Sequence, residues 1–239
     1  MNTSKTQATF SPRVAIVTGA GRGIGRATAL AFARHGMAVA LASRRPADLM
    51  AVEAEIQEIG GRALALPTDV SVTAEVEHLV EETERALGDI DVLVNNAGVV
   101  ERSPVVATSD ESWDRVLDVN LKGAFRCTRA VLPHMMERRR GRILNVSSIS
   151  GRLGTPQLAS YCASKWGLIG FTKAVAEETA PHDVQIIAVC PGSVATEMLT
   201  KGLPGVKPDM APEAVASLLL YLATGAPDAM NGSAVDMFG

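Results

Sequence analysis

A tyrosine and a lysine four positions apart, Tyr161 and Lys165, are well placed in this sequence for proton transfer. They fall in a segment predicted to be helical, where residues four apart lie on the same face. A free tyrosine has a pKa of about 10, and a neighbouring ammonium group favours the phenolate and lowers that pKa. The pair therefore indicates a tuned general acid or base, although the same spacing alone also fits an ordinary amphipathic helix.

A glycine-rich turn lies far upstream of this pair, where an apolar run over residues 14–18 leads into a helical pattern. Glycines at such a junction permit a tight turn and let the backbone approach a pyrophosphate, and the following helix N-terminus attracts phosphate. A glycine-rich turn without a ligand is the alternative. The spacing is G-x-x-x-G-x-G, and the positions concerned are Gly19, Gly21, Arg22, Gly23, Ile24 and Gly25.

Short apolar runs alternate with longer helical patterns along the whole chain. Near-continuous apolar strands separated by helices are typical of a parallel sheet covered on both faces. We predict an α/β protein with a single doubly wound Rossmann domain over residues 12–239, about seven strands and a flexible lead over residues 1–11. The predicted strands are 14–18, 38–42, 63–67, 92–95, 143–147, 184–189 and 233–236, and the predicted helices are 24–35, 47–59, 72–87, 110–138, 158–179 and 212–223.

Composition and charge narrow the class of protein. The 239 residues are 47% hydrophobic and 21% charged, which suits a buried core, and the net charge of −3 gives no reason to expect nucleic acid as a partner. No apolar run reaches the roughly 20 residues of a membrane span, so we expect no membrane partner. The three cysteines, Cys127, Cys162 and Cys190, fit neither a disulfide framework nor a zinc site. We therefore expect a cytoplasmic protein that binds no metal.

The ordered set of motifs resembles the short-chain dehydrogenase/reductase family, including its 3-oxoacyl-thioester reductases, from about Arg13 to the C-terminus. Each motif follows a predicted strand, and ligands of open α/β sheets bind at the carboxyl ends of the strands. Besides the glycine turn, the motifs are Asn95-Asn96-Ala97-Gly98, Ser148, Tyr161-Cys162-Ala163-Ser164-Lys165, and Pro191-Gly192 with Thr196 downstream.

The resemblance implies an oxidoreductase that transfers a hydride between a nicotinamide dinucleotide and a carbonyl or secondary alcohol. Tyr161 would exchange the proton with the substrate oxygen, and Lys165 would tune Tyr161 and hold the nicotinamide ribose. Ser148 would hydrogen-bond the substrate oxygen, and Asn120 would hold a water that links the lysine to solvent. Only the family's thirteen-residue step to the tyrosine selects Ser148 over the serines at positions 147 and 150.

The residues after the second predicted strand bear on the choice of dinucleotide. NAD enzymes of this fold usually place an acid there, whereas this chain has Ser43 and Arg44, which suit a 2′-phosphate. Arg22 is expected to share that phosphate, so we predict NADP(H), with solvated arginines as the alternative. Asp69 would contact the adenine, unless it caps a helix, and Val70 would line that pocket. The resemblance also places at the dinucleotide Asn96, Ala97, Gly98, Pro191, Gly192, Val194 and Thr196, together with Tyr161 and Lys165.

Several segments bear on the substrate. Residues 193–210 are rich in apolar side chains, and the resemblance implies that they form a lid over the substrate; an ordinary surface loop is the alternative. Arg152 and Gln157 would face either a polar substrate or solvent. The arginine run over residues 138–140 is either a solvated helix end or a dock for an acidic acyl-carrier protein. We expect reduction of a 3-oxoacyl thioester or a ketone. A sugar or polyol dehydrogenase and a non-catalytic dinucleotide-binding protein are the alternatives.

The resemblance also implies a homo-oligomer, with a tetramer expected. Many relatives end their last strand with Asp-Gly-Gly, whereas this chain ends with bulky Met237 and Phe238 before Gly239. We expect these two apolar side chains to pack into a subunit contact.

Overall fold

The structure is a computed structural model that describes residues 13–238; the predicted lead over residues 1–11 lies outside the described residues. All neighbouring strands pair in parallel, in the order β3-β2-β1-β4-β5-β6-β7. The predicted doubly wound sheet of seven strands is therefore confirmed. The strands are β1 Val14–Thr18, β2 Ala38–Ser43, β3 Ala63–Pro67, β4 Val92–Asn95, β5 Gly141–Val146, β6 Val184–Pro191 and β7 Ala234–Met237.

Helices cover both faces of the sheet, because successive side chains of each strand point to opposite faces. Along β1, Ala15 and Val17 join one hydrophobic cluster with α1, α2 and α8. Val14 and Ile16 join a second cluster with α3, α5 and α6. The helices are α1 Gly23–Arg34, α2 Pro46–Glu58, α3 Thr73–Leu87, α4 Asp110–Leu117, α5 Gly123–Glu137, α6 Ala159–Thr179, α7 Glu197–Gly202 and α8 Pro212–Thr224.

The strand order reverses between β1 and β4, which are neighbours in the sheet but not in the chain. In open α/β sheets a crevice forms at this reversal, outside the carboxyl ends of the strands. The glycine turn follows β1, and the other family motifs follow β4, β5 and β6, so the fold gathers them along one edge.

The long helical region predicted over residues 110–138 is present, but a π-helical turn over Asp118–Lys122 divides it into α4 and α5. The N–H of Gly123 donates to the carbonyl oxygen of Asp118, five residues earlier. A Cβ on Gly123 would lie 2.7 Å from Cγ2 of Val70, so this turn packs against the segment that follows β3. Single π turns within helices are frequent at functional sites.

Candidate active site

The glycine turn between β1 and α1 is held by close contacts that require glycine. Gly19 has a φ of +66°, and a Cβ there would lie 2.8 Å from Nδ2 of Asn96. A Cβ on Gly25 would lie 2.1 Å from the carbonyl oxygen of Gly19, so the first turn of α1 packs directly on the loop. The N–H of Ala20 donates to the carbonyl oxygen of Ala42 at 3.1 Å, which joins the turn to the end of β2.

The N-terminus of α1 lacks a side-chain cap and has no acidic residue in its first turn. Its unsatisfied N–H groups and partial positive charge can therefore bind an anion. The N-cap residue is Arg22, whose guanidinium pairs with the carboxylate of Glu197 in α7. Sequence reasoning missed this pair, which joins residues 175 positions apart. Arg22 would have to leave Glu197 to share a 2′-phosphate with Arg44.

The segment after β4 braces the glycine turn. Nδ2 of Asn96 donates to the carbonyl oxygens of Thr18 at 2.9 Å and Gly19 at 3.3 Å. The backbone N–H groups of Asn96 and Ala97 donate to Oγ1 of Thr18 at 2.9 and 3.0 Å. The side chain of Asn96 thus holds the loop in place, and Gly98 follows at the edge of the crevice.

Tyr161, Lys165 and Ser148 lie together at this edge. Nζ of Lys165 is 5.6 Å from the centroid of the Tyr161 ring, and Ser148 and Tyr161 line the same cavity. Lys165 is buried and donates from Nζ to the carbonyl oxygen of Val146 at 2.8 Å. A phenol, a serine hydroxyl and a lysine are thereby brought together as the helical spacing predicts.

Hydrogen bonds distinguish the three serines that follow β5, which the sequence alone could not. Oγ of Ser147 donates to the carbonyl oxygen of Lys165 at 2.9 Å. Oγ of Ser150 shares a 3.2 Å hydrogen bond with Oγ1 of Thr155. Ser148 accepts from the N–H of Ser150 at 3.1 Å, and its side chain is the one that lowers the pKa of Tyr161. Ser148 is therefore the serine of this group positioned to act with the tyrosine.

Asn120 lies buried in the π turn, where it connects three segments. Its Oδ1 accepts from the N–H of Val99 at 2.7 Å, and its Nδ2 donates to the carbonyl oxygen of Val99 at 2.9 Å. Nδ2 also donates to Oγ of Ser164 at 3.1 Å, and that hydroxyl donates to the carbonyl oxygen of Tyr161. Both amide hydrogens are used, so a water bound by Asn120 would have to donate a hydrogen bond, either to the second lone pair of Oδ1 or to the backbone carbonyl oxygen.

Burial shifts the two titratable groups in opposite directions. It raises the pKa of Tyr161 to about 12, against the opposing effect of the hydrogen bond with Ser148. It lowers the pKa of Lys165 to about 8. The expectation that Lys165 and an oxidised nicotinamide together lower the tyrosine pKa stays a prediction, and Lys165 is not among the groups that lower this pKa in the structure. The physical reason is that desolvation dominates and the lysine Nζ is directed at the carbonyl of Val146.

The end of β2 carries the residues predicted to choose the dinucleotide. Oγ of Ser43 is buried and has no hydrogen-bond partner among the described residues. The Arg44 side chain is 57% exposed, and its Nη1 lies 4.0 Å from Oδ2 of Asp69. This pair is long and exposed, so the guanidinium is available to an anion.

An acid that sequence reasoning missed lies beside these residues. A Cβ on Gly21 would lie 2.7 Å from Cβ of Asp48, 3.4 Å from its Oδ2 and 3.3 Å from Oγ of Ser43. Asp48 belongs to the first turn of α2 and pairs with Arg45 at 2.5 Å. The signal in the sequence that could have pointed to Asp48 was Pro46, because proline is typical of the first position of a helix. The helix that begins there brings Asp48 back toward the glycine turn.

Asp69 is held by the segment that follows β3. Its Oδ1 accepts from the N–H of Ser71 at 2.9 Å and from its Oγ at 2.6 Å. Partial burial alone would raise the pKa of Asp69, but these hydrogen bonds and the charges of Arg44 and Arg126 lower it. The N-cap of α3 is Val72, so the alternative role of Asp69 as its cap is wrong.

A polar cavity extends from this point along α4 and the π turn. Arg44, Asp69 and Ser71 line it on one side, and residues of 114–122 line the other. Val70 is buried, with its Cγ2 toward Gly123. Asp69, which the resemblance places at the adenine, is among the residues that line this cavity.

A second cavity, of about 110 Å³, opens beside Tyr161 and Ser148. Ligand pockets are usually about 300–1,000 Å³, so this one must widen to admit a substrate of that size. The predicted lid over residues 193–210 covers it and contains α7, a short helix that was not predicted. The hydroxyl of Thr196 caps α7 by accepting from the N–H of Leu199 at 3.2 Å. The apolar lining comprises Ile24, Val100, Leu158, Val194, Met198, Leu199 and Leu203.

The two polar residues expected on the opposite wall serve different contacts. Nε of Arg152 donates to Oδ1 of Asp236 at 2.8 Å, and its Nη2 donates to the carbonyl oxygen of Ala234. Arg152 therefore holds β7 in place. Oε1 of Gln157 accepts from Nε of Arg102 at 2.8 Å. Sequence reasoning missed Arg102, since no motif marks it.

The segment after β6 is tied to the C-terminus and to the lid. The N–H of Gly192 donates to the carbonyl oxygen of Met237 at 2.9 Å, and Val194 forms an isolated bridge with Met210. The side chain of Met237 packs against the core of its own chain, whereas Phe238 is 65% exposed. Of the two residues expected at a subunit contact, Phe238 is therefore the one whose side chain is exposed to make it.

The arginine run at the end of α5 lies at the opposite edge of the sheet from the tyrosine, because it precedes β5. Arg138 and Arg140 approach Asp91 at 3.5 and 2.8 Å, and Arg139 pairs with Asp183 at 2.7 Å. These contacts explain the run as a set of ion pairs that join α5 to neighbouring loops.

Aromatic side chains mark the outer face of α5 and α6. Phe125 and Phe171 are in edge contact with ring centroids 6.4 Å apart, and the guanidinium of Arg129 lies 5.0 Å from the Phe125 centroid. Trp166 is 53% exposed on α6. Exposed aromatic patches of this kind often mark protein contacts.

Within residues 13–238, no helix combines the length and apolar character needed to cross a membrane. In the same part of the chain, no three side chains of His, Cys, Asp or Glu cluster as ligands for a metal ion.

Comparison with known proteins places this chain among relatives of one family. The family model described as short chain dehydrogenase matches residues 13–205. The chain is 44% identical over 226 residues to the 3-oxoacyl-[acyl-carrier-protein] reductase of Synechocystis sp., which covers 90% of each chain. It is 43% identical over 207 residues to the short-chain reductase protein NovJ of Streptomyces niveus, covering 85% of this chain and 79% of that protein.

Solved structures show the same arrangement. A variant of actinorhodin polyketide ketoreductase with NADPH superposes with a TM-score of 0.90 at 34% identity, covering 95% of this chain and 96% of that one. A putative gluconate dehydrogenase from Agrobacterium tumefaciens superposes with a TM-score of 0.91 at 29% identity, covering 97% and 96%. Fold, motif order and sequence similarity agree: the chain belongs to the short-chain dehydrogenase family of oxidoreductases.

Proposed function

We propose that this chain is an NADPH-dependent reductase of 3-oxoacyl thioesters or related ketones, with Tyr161 as the proton donor. The observation that carries the proposal is that Tyr161 and Ser148 together line an apolar cavity at the carboxyl edge of the sheet. The names of the relatives, among them acyl-carrier-protein reductases and a polyketide ketoreductase, support a carbonyl substrate.

The crevice fits a dinucleotide. The N-terminus of α1 is uncapped, and a turn built of glycines lets the backbone itself approach a pyrophosphate. When bound, a nicotinamide dinucleotide supplies the hydride. The residues that would hold it are Gly19, Gly21, Arg22, Gly23, Ile24, Gly25, Ser43, Arg44, Asp69, Val70, Asn96, Ala97, Gly98, Tyr161, Lys165, Pro191, Gly192, Val194 and Thr196.

The preference for a 2′-phosphate is proposed from Ser43 and Arg44. Ser43 offers a buried hydroxyl that has no partner among the described residues, and Arg44 offers an exposed guanidinium beside it. Guanidinium groups bind phosphate through two parallel hydrogen bonds. Asp48 opposes this preference, but its ion pair with Arg45 offsets its charge.

In the proposed reduction, the Tyr161 hydroxyl gives its proton to the substrate oxygen, and the Ser148 hydroxyl hydrogen-bonds the same oxygen as negative charge develops. A tyrosine pKa of about 12 keeps the phenol protonated at neutral pH, which suits a proton donor. Lys165 would hold the ribose hydroxyls and return a proton to Tyr161. The backbone carbonyl of Asn120 would hold the water that supplies it.

A sugar or polyol dehydrogenase is the second candidate, favoured by the structural similarity to a putative gluconate dehydrogenase. The apolar lining beside Tyr161 argues for a substrate with fewer hydroxyls than a sugar. A non-catalytic dinucleotide-binding protein would not need Ser148, Tyr161, Lys165 and Asn120 together. Incubation with NADPH or NADH and a set of thioesters, ketones and sugars, in both directions, tests all three. Oxidation of sugars alone, or binding without turnover, would overturn the proposal.

The rate of reduction is expected to fall as pH rises through about 8. Burial lowers the pKa of Lys165 to about 8, so its ammonium is present below that pH and lost above it. Tyr161, with a pKa of about 12, stays protonated across this range, so its titration does not change the rate of reduction there. Oxidation needs the phenolate and is expected to rise with pH. The measurement is kcat/KM in both directions from about pH 6 to pH 10, and a flat reductive profile contradicts the role of Lys165.

A homo-oligomer, with a tetramer expected, is proposed from the aromatic face of α5 and α6. Light scattering at micromolar concentration should show a dimer or tetramer, and Phe125→Glu should shift it toward the monomer because Phe125 is 38% exposed on that face. A wild-type monomer at that concentration would contradict this. An acyl-carrier protein is proposed as a partner on the names of the relatives; the arginine run at the opposite edge gives it no support.

A further inference from the structure

Arg102, in the segment between β4 and α4, does not line the apolar cavity itself but contacts the lid and the wall that do, at a place that we call the mouth of the cavity. Its Nε donates to Oε1 of Gln157 at 2.8 Å, and its Nη1 donates to the carbonyl oxygen of Gly202 at 3.2 Å. Gly202 lines the cavity from the lid, and Leu158, the neighbour of Gln157, lines it from the wall. One guanidinium thus bridges the lid and the wall where the cavity opens.

The wall beside Arg102 is held in an unfavourable backbone conformation. Gln157 has a φ of +67°, in the left-handed region that non-glycine residues rarely adopt. Its carbonyl oxygen accepts from the N–H of Ser103 at 2.9 Å, and its side chain accepts from Arg102. Such strain persists only where surrounding contacts hold it, and it concentrates at ligand sites.

Arg102 differs from the arginines around it in the partners of its guanidinium group. Arg115 pairs with Glu101 at 2.6 Å, and Arg152 pairs with Asp236 at 2.8 Å. Both acceptors of Arg102 are neutral, and its side chain is exposed. The mouth of an otherwise apolar cavity therefore carries a cation without a carboxylate partner among the described residues.

We infer that Arg102 is a specificity-determining residue that binds the polar arm of a thioester substrate as it leaves the cavity. The acyl group would lie among the apolar side chains, with its oxo oxygen at Tyr161. The arm beyond the sulfur offers amide carbonyls and, in a carrier-bound or coenzyme A thioester, phosphate, which are acceptors for a guanidinium. The inference rests on the proposed function and names the feature of the substrate that this chain recognises.

The test compares three 3-oxobutanoyl substrates with the same reacting group: the coenzyme A thioester, the N-acetylcysteamine thioester and the ethyl ester. The first carries amides and phosphate, the second an amide only, and the third neither. Loss of a charged hydrogen bond in Arg102→Gln is expected to raise KM about tenfold for at least one thioester, with kcat within about twofold. The ethyl ester should change by less than about twofold.

Two further variants make the comparison specific. Arg102→Lys retains the charge and should recover part of the lost affinity, and Arg85→Gln removes a paired, exposed arginine of α3 and should change nothing. Thermal unfolding of each variant shows whether the fold is retained. An effect on both thioesters assigns Arg102 to the amide portion, and an effect on the coenzyme A thioester alone assigns it to phosphate; either supports the inference.

Equal changes for all three substrates would overturn the inference, because they would indicate that Arg102 acts only by supporting Gln157. Unchanged KM values for both thioesters would overturn it as well. In either case wild-type reduction of these substrates leaves the proposed function standing. Wild-type protein that reduces none of the three with either dinucleotide overturns the proposed function, and the inference with it.

Discussion

Tyr161→Phe is expected to lower kcat by about 10²–10⁴-fold, the usual contribution of general acid–base catalysis. The substitution removes the hydroxyl that hydrogen-bonds Ser148 but keeps the ring that packs with Val100, Leu158 and Met198. Dinucleotide affinity, measured by fluorescence titration, should therefore stay within about threefold of wild type. The steady-state rate of reduction should fall without a matching loss of binding.

The chain supplies a matched control for this substitution. Tyr221, the other tyrosine, lies on α8 with 51% exposure. Tyr221→Phe removes the same hydroxyl far from the crevice and should leave kcat and dinucleotide affinity unchanged. If Tyr161→Phe retains turnover within about threefold of wild type, Tyr161 is not the proton donor and the proposed mechanism fails.

Arg44→Asp is expected to reverse or abolish a preference for NADPH over NADH. Wild type should favour NADPH by at least about tenfold in kcat/KM, since a charge-assisted hydrogen bond contributes about 1.5–3 kcal/mol, or about 10- to 150-fold. The variant removes the cation beside the unpartnered hydroxyl of Ser43 and adds a carboxylate that repels a 2′-phosphate and can bind a ribose hydroxyl.

Two further variants show whether the effect is local. Arg34→Asp makes the same charge change at the far end of α1 and should leave the cofactor ratio unchanged. Arg22→Ala should weaken the preference by less than Arg44→Asp, because Arg22 is already engaged with Glu197. A wild-type preference for NADH, or a ratio that Arg44→Asp leaves unaltered, would show that the arginines are ordinary surface residues.

The fold could be predicted from the sequence because it follows from local patterns. Each strand is a short apolar run bounded by a turn, and a parallel sheet places every strand's carboxyl end at one edge. That rule and the family resemblance together predicted that Ser148, Tyr161 and the glycine turn lie at one edge, where the structure places them. Helix ends differ by one or two residues, as expected where end geometry depends on caps.

Features that depend on contacts between distant segments could not be predicted. The π turn requires the close packing of Gly123 on Val70, which a helical pattern does not reveal. Asp48 reaches the glycine turn only because α2 folds back on it, and the two acceptors of Arg102 lie on separate segments of the chain. The pKa of Tyr161 could not be predicted either, because burial determines it more than the spacing of residues in the sequence does.

The central claim, that this chain reduces a carbonyl with NADPH through Tyr161, is tested most directly by following the transferred hydrogen. Wild-type protein is incubated with NADPH deuterated at the transferable position and the 3-oxobutanoyl N-acetylcysteamine thioester, and the product is analysed by mass spectrometry. The expected product is a 3-hydroxy thioester that carries one deuterium on carbon, with almost none formed by Tyr161→Phe. Wild-type protein that forms no 3-hydroxy product, or product without deuterium, would contradict it.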